Sequence, residues 1–400
     1  MSAEKRIYMD YTAGKPIDDR VIEAMLPYMR SFYGNPSSLH QFGQEPRKAL
    51  DEARTKVAEL INAEKKESII FTSGATESNN MAIKGVAFRN KDHGTHITTS
   101  NIEHMSVINP IKYLTTRGFE ATFVPVDRDG LLDLENLKHA MTDKTVLVSI
   151  NYANGEIGTI QPAQEISQIV HGKKAYLHMD ATAAAGQVPI DVQKEEIDLL
   201  TVSSNDMYGP KGVGALYIKE GVRVEPLLHG GGQERGLRSG TENLPGIVGF
   251  GKAAEIAQKE MQVEGERLAG LRDRLIKGLL EGIPYAFLNG HHTRRLPNNA
   301  YVRFSFIEGE SMLLSLDMLG VAASSGSACT AKTLEPSHVL LAIGLKHEEA
   351  HGSLLFTLGK QNTQEEVDYV ISIMPSIVER LRAISPLTPE ELRERCTPRK

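Results

Sequence analysis

The chain has only 2 cysteines and no tryptophan. Two thiols exclude a disulfide scaffold and any self-contained four-cysteine zinc or iron–sulfur site. No run of about 18 apolar residues occurs, so no membrane-spanning helix is expected. The start, Met1-Ser2-Ala3-Glu4-Lys5-Arg6, lacks the apolar core of a signal peptide. An excess of positive charge is also missing: 45 Lys+Arg stand against 51 Asp+Glu, a formal net charge of −6. That balance argues against general nucleic-acid binding. Apolar residues are not scarce, at 40% of the chain and evenly spread, which excludes disorder. The expectation is a cytoplasmic protein with reduced thiols, and its 400 residues suffice for one large core and a smaller one.

Short apolar runs alternate with helix-length amphipathic stretches, the pattern of an α/β protein with a largely parallel sheet. Strands are expected at Ser68–Thr72, His96–Thr99, Ala121–Val126, Thr145–Asn151, Ala175–Asp180, Leu199–Ser203 and Gly214–Lys219. Helices are expected at Glu45–Ile61, Thr76–Arg89, Met105–Thr116 and Ala163–His171. After Gly251 the texture changes to one long charged helix, Lys252–Leu280, and then a smaller α+β unit. Its strands are expected at Ala300–Phe306 and Gly352–Leu358, its helices at Ser311–Leu319, near Val339 and at Gln364–Ile384. The division that follows is a large domain over 14–255, with 1–13 and 256–400 forming a small one.

Four strand ends are polar: Thr72-Ser73-Gly74-Ala75-Thr76-Glu77, Asn101-Ile102-Glu103-His104, His178-Met179-Asp180-Ala181-Thr182 and Ser203-Ser204-Asn205-Asp206. Ligands of parallel sheets bind at the carboxyl ends of strands. At the first of these ends, small residues open a helix, so free backbone N–H groups and the helix dipole suit an anion, and Thr76 adds a hydroxyl. A capped helix start would look the same. Asp180, after an apolar strand, needs a cationic or hydrogen-bonding partner.

The motifs carry more than these patterns. They are Gly34-Asn35-Pro36-Ser37-Ser38-Leu39-His40, Thr72-Ser73-Gly74-Ala75-Thr76-Glu77-Ser78-Asn79-Asn80, Glu103-His104, Glu156-Ile157-Gly158, Tyr208-Gly209-Pro210-Lys211-Gly212, Arg238-Ser239-Gly240-Thr241-Glu242-Asn243 and Ser325-Gly326-Ser327-Ala328-Cys329. Through them the chain, from Tyr8 to about Ile384, resembles the IscS/NifS-type cysteine desulfurases. These belong to the class V aminotransferase group of pyridoxal-phosphate (PLP) proteins. The resemblance implies PLP-dependent transferase fold type I, with a mostly parallel seven-stranded sheet and a smaller α+β domain. It implies that Ala75, Thr76 and Ser203 hold the cofactor phosphate and that Thr241 reaches the phosphate of a neighbouring subunit in a homodimer. It implies that His104 stacks on the pyridine and Asp180 pairs with the ring nitrogen, making the ring an electron sink. It implies that Cys329, in a loop of small residues, takes sulfur from the substrate and passes it to an IscU-type scaffold. His104 and Asp180 also admit a plainer reading, as a buried hydrogen-bonded pair.

The same pocket departs from the family. The family reads Ser-x-His-Lys where this chain reads Ser203-Ser204-Asn205-Asp206, so the lysine that forms the Schiff base is Asp206, and a carboxylate forms no imine. Gly155, Ala183 and Leu355 stand where the family carries a cofactor-contacting asparagine, a cofactor-contacting glutamine and a substrate-binding arginine. With the Cys329 loop intact beside an altered pocket, the expected function is in iron–sulfur cluster assembly. Cys329 would serve as a sulfur carrier or as a ligand of a transient [2Fe-2S] cluster shared with the scaffold, since one cysteine cannot hold a cluster alone. Two other readings are a working desulfurase that binds PLP noncovalently or through another lysine, and a non-catalytic structural or regulatory homologue. Asp206 is also a hard oxygen ligand that suits iron.

Overall fold

The computed structural model describes residues 6–326 and 336–396. The chain enters as β1 (Ile7–Tyr8), followed by α1 (Asp19–Arg30) and α2 (Gln41–Leu60). An alternating series comes next: β2 (Ile69–Thr72), α3 (Ala75–Arg89), β3 (His96–Ser100), α4 (Met105–Thr115), β4 (Glu120–Val124), α5 (Leu134–Ala140), β5 (Thr145–Asn151), α6 (Ala163–Gly172), β6 (Tyr176–Asp180), β7 (Leu199–Ser203) and β8 (Gly214–Ile218). The long α7 (Leu244–Gly282) leads to β9 (Ala286–Leu288), β10 (Asn299–Phe304), α8 (Gly309–Met318), β11 (Val321–Ala322), α9 (His338–Ala342), α10 (His347–His351), β12 (Ser353–Thr357), α11 (Gln364–Ile384) and α12 (Glu390–Cys396).

The seven-stranded sheet has the order β2-β8-β7-β6-β5-β3-β4. Only β8 runs against its neighbours, β2 and β7, so β2, β3, β5, β6 and β7 all end on one edge. All seven residues of β5, Thr-Val-Leu-Val-Ser-Ile-Asn, are buried, as a strand covered on both faces must be. One face packs Val57 of α2, Val170 of α6 and Phe250 of α7; the other packs Ile83 of α3 and Val107 and Leu114 of α4. A second core forms on the antiparallel sheet β12-β10-β9, where Val302 and Phe356 meet Leu275 and Leu279 of α7 and Val370 and Met374 of α11. Ile7 and Met9 join this second core, and β1 pairs with β11.

The long helix begins at Leu244, earlier than its charged pattern predicts, with Pro245 in its first turn and Asn243 capping the Gly246 N–H. Its glycines are packing positions. A Cβ on Gly251 would lie 2.6 Å from the Ala53 Cα, so α7 and α2 approach almost backbone to backbone there. Helix α1, with Asp18 as its cap, was not expected from the sequence. Among the described residues no helix is long and apolar enough to cross a membrane.

Candidate active site at the carboxyl edge of the sheet

The polar strand ends converge on the edge where β2, β3, β5, β6 and β7 terminate. At β2 the chain turns through Gly74, at φ +147°, a conformation that side-chain-bearing residues rarely adopt. Gly74 is the cap of α3 and has no side chain with which to satisfy the first N–H groups of the helix. A Cβ there would meet nothing within 4 Å, so the space before the helix start is open. Ala75 is half-buried and Thr76 exposed, while Ser203 is buried at the end of β7. Glu77 accepts from the Ser73 N–H at 2.8 Å and pairs with Arg238 at 2.9 Å. The helix start and the Arg238–Asn243 motif are thereby tied together.

His104 and Asp180 are not a bonded pair. His104 is exposed and caps α4: its Nδ1 accepts from the Ser106 N–H at 3.1 Å and lies 2.8 Å from the Ser106 hydroxyl. Asp180 is buried and accepts from Asn79 Nδ2 at 2.7 Å, the Thr182 N–H at 2.9 Å and the Thr182 hydroxyl at 2.5 Å. The two are linked through intermediates, because Asn79 Nδ2 also donates to Ser106 Oγ at 2.8 Å. The result is a polar chain His104–Ser106–Asn79–Asp180 that orients the carboxylate. Sequence reasoning quoted Asn79 inside a motif without a role and missed Ser106. Next to this chain lies Glu103, whose carboxyl burial pushes up to about 8; bonds from Ser100 at 2.5 Å and Asn151 at 2.7 Å offset only part of that.

Gly155, Ala183, Asn205 and Asp206 follow β5, β6 and β7 on the same edge, while Leu355 lies in β12 of the second sheet. Burial raises the Asp206 carboxyl to about 6; Lys15 and Ser203 pull it down, and Asp180 pushes it up. Asn205 leaves its Oδ1 buried with no hydrogen-bond partner. A Cβ added to Gly155 would stand 3.6 Å from the Ala183 Cβ and 3.8 Å from the Thr12 Cγ2, so two small residues face each other with the N-terminal segment beside them. Leu355 is 2% exposed and packs with Ile102, Ile157 and Tyr301, so an apolar wall stands where the resemblance implies a guanidinium. Thr241 is exposed on the loop before α7.

Cys329 lies outside the described residues, but the chain on either side is held. Tyr301 donates its hydroxyl to the Ser325 carbonyl at 2.7 Å, and a Cβ on Gly326 would collide with that ring. On the far side Ser337 caps α9 and donates to the half-buried Glu156 at 2.5 Å, while His338 donates to the Glu103 carbonyl at 2.9 Å. Burial raises the Glu156 carboxyl to about 7. Among the described residues no group of three or more His, Cys, Asp or Glu converges to hold a metal.

The fit to PLP differs from one end of that molecule to the other. The open helix start at Gly74 and Ser203 suit its phosphate, and Asp180, fixed by Asn79 and Thr182, suits a protonated ring nitrogen. When bound, that ring supplies an electron sink. Covalent attachment does not fit: where the resemblance implies the imine-forming lysine, this chain carries Asp206.

Comparison with known proteins agrees with this geometry. The model of the family Aminotransferase class-V matches residues 7–370. The cysteine desulfurase IscS 1 of Archaeoglobus fulgidus is 59% identical over 380 residues, covering 95% of this chain and 99% of that protein. The cysteine desulfurase IscS of Methanosarcina thermophila is 54% identical, covering 97% and 96%. A solved NifS-like protein superposes with a TM-score of 0.88 at 40% identity, over 94% of this chain and all of that one. The family is PLP-dependent. The chain belongs to the class V aminotransferases and, within them, to the IscS/NifS-type cysteine desulfurases.

Proposed function

We propose that this protein is a component of iron–sulfur cluster assembly that docks an IscU-type scaffold and uses Cys329 as a sulfur carrier or as a ligand of a shared [2Fe-2S] cluster, without lysine-dependent PLP chemistry. The observation that carries this reading is Asp206, a carboxylate in the pocket position to which the family resemblance assigns the imine-forming amine. Leu355, Gly155 and Ala183 support it, because each takes a ligand contact from the same pocket. A thiolate needs none of those contacts to hold a sulfur atom or an iron. The site is assigned as Ala75, Thr76, Asp180, Ser203 and Thr241 around the former cofactor position, with His104 beside it and Cys329 as the reacting group.

The assembly unit is a homodimer in the cytoplasm. Met29, Phe32, Tyr33, Leu39 and Phe42 form an exposed apolar stretch, Tyr33 and Phe42 with ring centroids 6.5 Å apart, that a second subunit would cover. The two cores support a division into a large domain over 14–255 and a small one over 1–13 and 256–400.

A second reading rests on the preserved phosphate cradle and Asp180: a working desulfurase that holds PLP noncovalently. The two are separated by anaerobic mixing of the purified protein with the scaffold, iron and sulfide. Cluster absorbance should form and Cys329→Ser should weaken it, with no sulfide released from cysteine and no yellow aldimine band in the parent. Yellow protein that releases sulfide from cysteine supports the second reading. An unchanged Cys329→Ser variant points instead to a non-catalytic homologue.

A further inference from the structure

A cleft of roughly 500 Å³ lies between the two cores, lined by Met207 and Ile256 of the first and by Leu268 and Leu358 of the second. None of its lining residues is among those assigned to the cofactor position, so it is a separate place in the fold. Three polar side chains in this lining have hydrogen-bonding capacity left over. Lys15 is only 7% exposed. Its Nζ donates to the backbone carbonyl of Asp206 at 2.6 Å and lies 5.2 Å from the centre of the Tyr208 ring. Among the described residues no carboxylate stands within ion-pair distance of it. Asn298 is 2% exposed; its Nδ2 donates to the Leu358 carbonyl at 3.3 Å, while its Oδ1 is buried without a partner. Gln187 donates through Nε2 to the Ala183 carbonyl at 3.1 Å, and its Oε1 is likewise buried without a partner.

The carboxylates in the lining do not answer Lys15. Glu260 is engaged by Arg20 at 2.6 Å and Lys360 at 2.8 Å, and Glu264 by Arg267 at 2.7 Å. A buried ammonium needs an anionic acceptor, and two buried amide oxygens need donors. Water would serve the amides but brings no negative charge. The aliphatic and thioether walls call for an apolar body. Clefts of this make-up, apolar with a few convergent polar groups and set between domains, are where small ligands bind.

We propose that this cleft is a binding site for a free α-amino acid with an aliphatic side chain. Lys15 takes its carboxylate, Gln187 and Asn298 take its ammonium, and Met207, Ile256, Leu268 and Leu358 take its side chain. The proposal does not rest on the function assigned above. Its test is calorimetric titration of the full-length protein with L-leucine, with L-leucinamide, which lacks the carboxylate, and with isocaproate, which lacks the ammonium. Leucine should bind saturably and raise the thermal unfolding midpoint with concentration. Leucinamide and isocaproate should each bind about tenfold more weakly or worse, for want of one charged hydrogen-bonding group. Lys15→Met should weaken leucine by about the same factor and leave leucinamide unchanged. Gln187→Met should weaken leucine and leave isocaproate unchanged. No saturable binding of leucine, equal binding of the three probes, or unchanged leucine affinity in either folded variant overturns the site. If Lys15→Met does not fold, Gln187→Met and the three probes decide. Sulfide release by the parent would overturn the proposed function while leaving this result untouched.

Discussion

At the scale of single residues, Asp206 sets what the pocket can do. A carboxyl whose folded-state value is raised to about 6 binds its proton more tightly folded than unfolded. Stability is therefore lost as pH rises from the ordinary aspartate range through about 6. Asp206→Asn removes that loss, so it should stabilise the protein above neutrality by about 1–2 kcal/mol, a figure discounted because the residue is only half-buried. Chemical denaturation at acid and alkaline pH checks this, and equal stability changes at both would contradict it. The departures at 206, 155, 183 and 355 were legible in the sequence because each interrupts a long motif. Lys15 was not, since lysine is rarely buried and nothing in Gly14-Lys15-Pro16 marks this one as an exception. Ser106 escaped for a related reason: its contribution is a bond to a neighbour's side chain, which no spacing rule reports.

At the scale of elements, the strands of the main sheet were legible because both of their faces are buried. Thr145–Asn151 and Leu199–Ser203 match their apolar runs end to end. The short β1, β9 and β11 were not anticipated, since two or three residues carry no periodicity. The early part of α7 was obscured by Gly246, Gly249 and Gly251, which lower helix propensity while admitting close neighbours. That trade predicts the effect of filling one of them. Gly251→Val should cost about 1–3 kcal/mol by overpacking against Ala53, despite the better intrinsic propensity of valine. Urea denaturation is the measurement, and a neutral or stabilising result would mean that α2 and α7 separate easily.

At the scale of the molecule, the buried carboxyls give stability a pH dependence. Glu103 and Glu156, raised to about 8 and about 7, are protonated in the fold over a range where the unfolded chain has released its protons. Stability falls as pH rises through that window. His171, raised by its bond to Asp198, acts in the same direction, since a raised base loses its contribution above its folded value. His178 and His96, lowered by burial, act oppositely and cost stability as pH falls below the ordinary histidine range. The unfolding midpoint should therefore drop between about pH 6.5 and pH 8.5, and Glu103→Gln or Glu156→Gln should flatten the slope. A flat parent profile would show that these carboxyls reach water. The long helix α7 adds a constraint of another kind. Its 39 residues span roughly 58 Å, with Phe250 in the first core and Leu275 and Leu279 in the second. Neither core can melt without stripping one end of a helix that the other still needs, so the two should absorb heat together, as one calorimetric event.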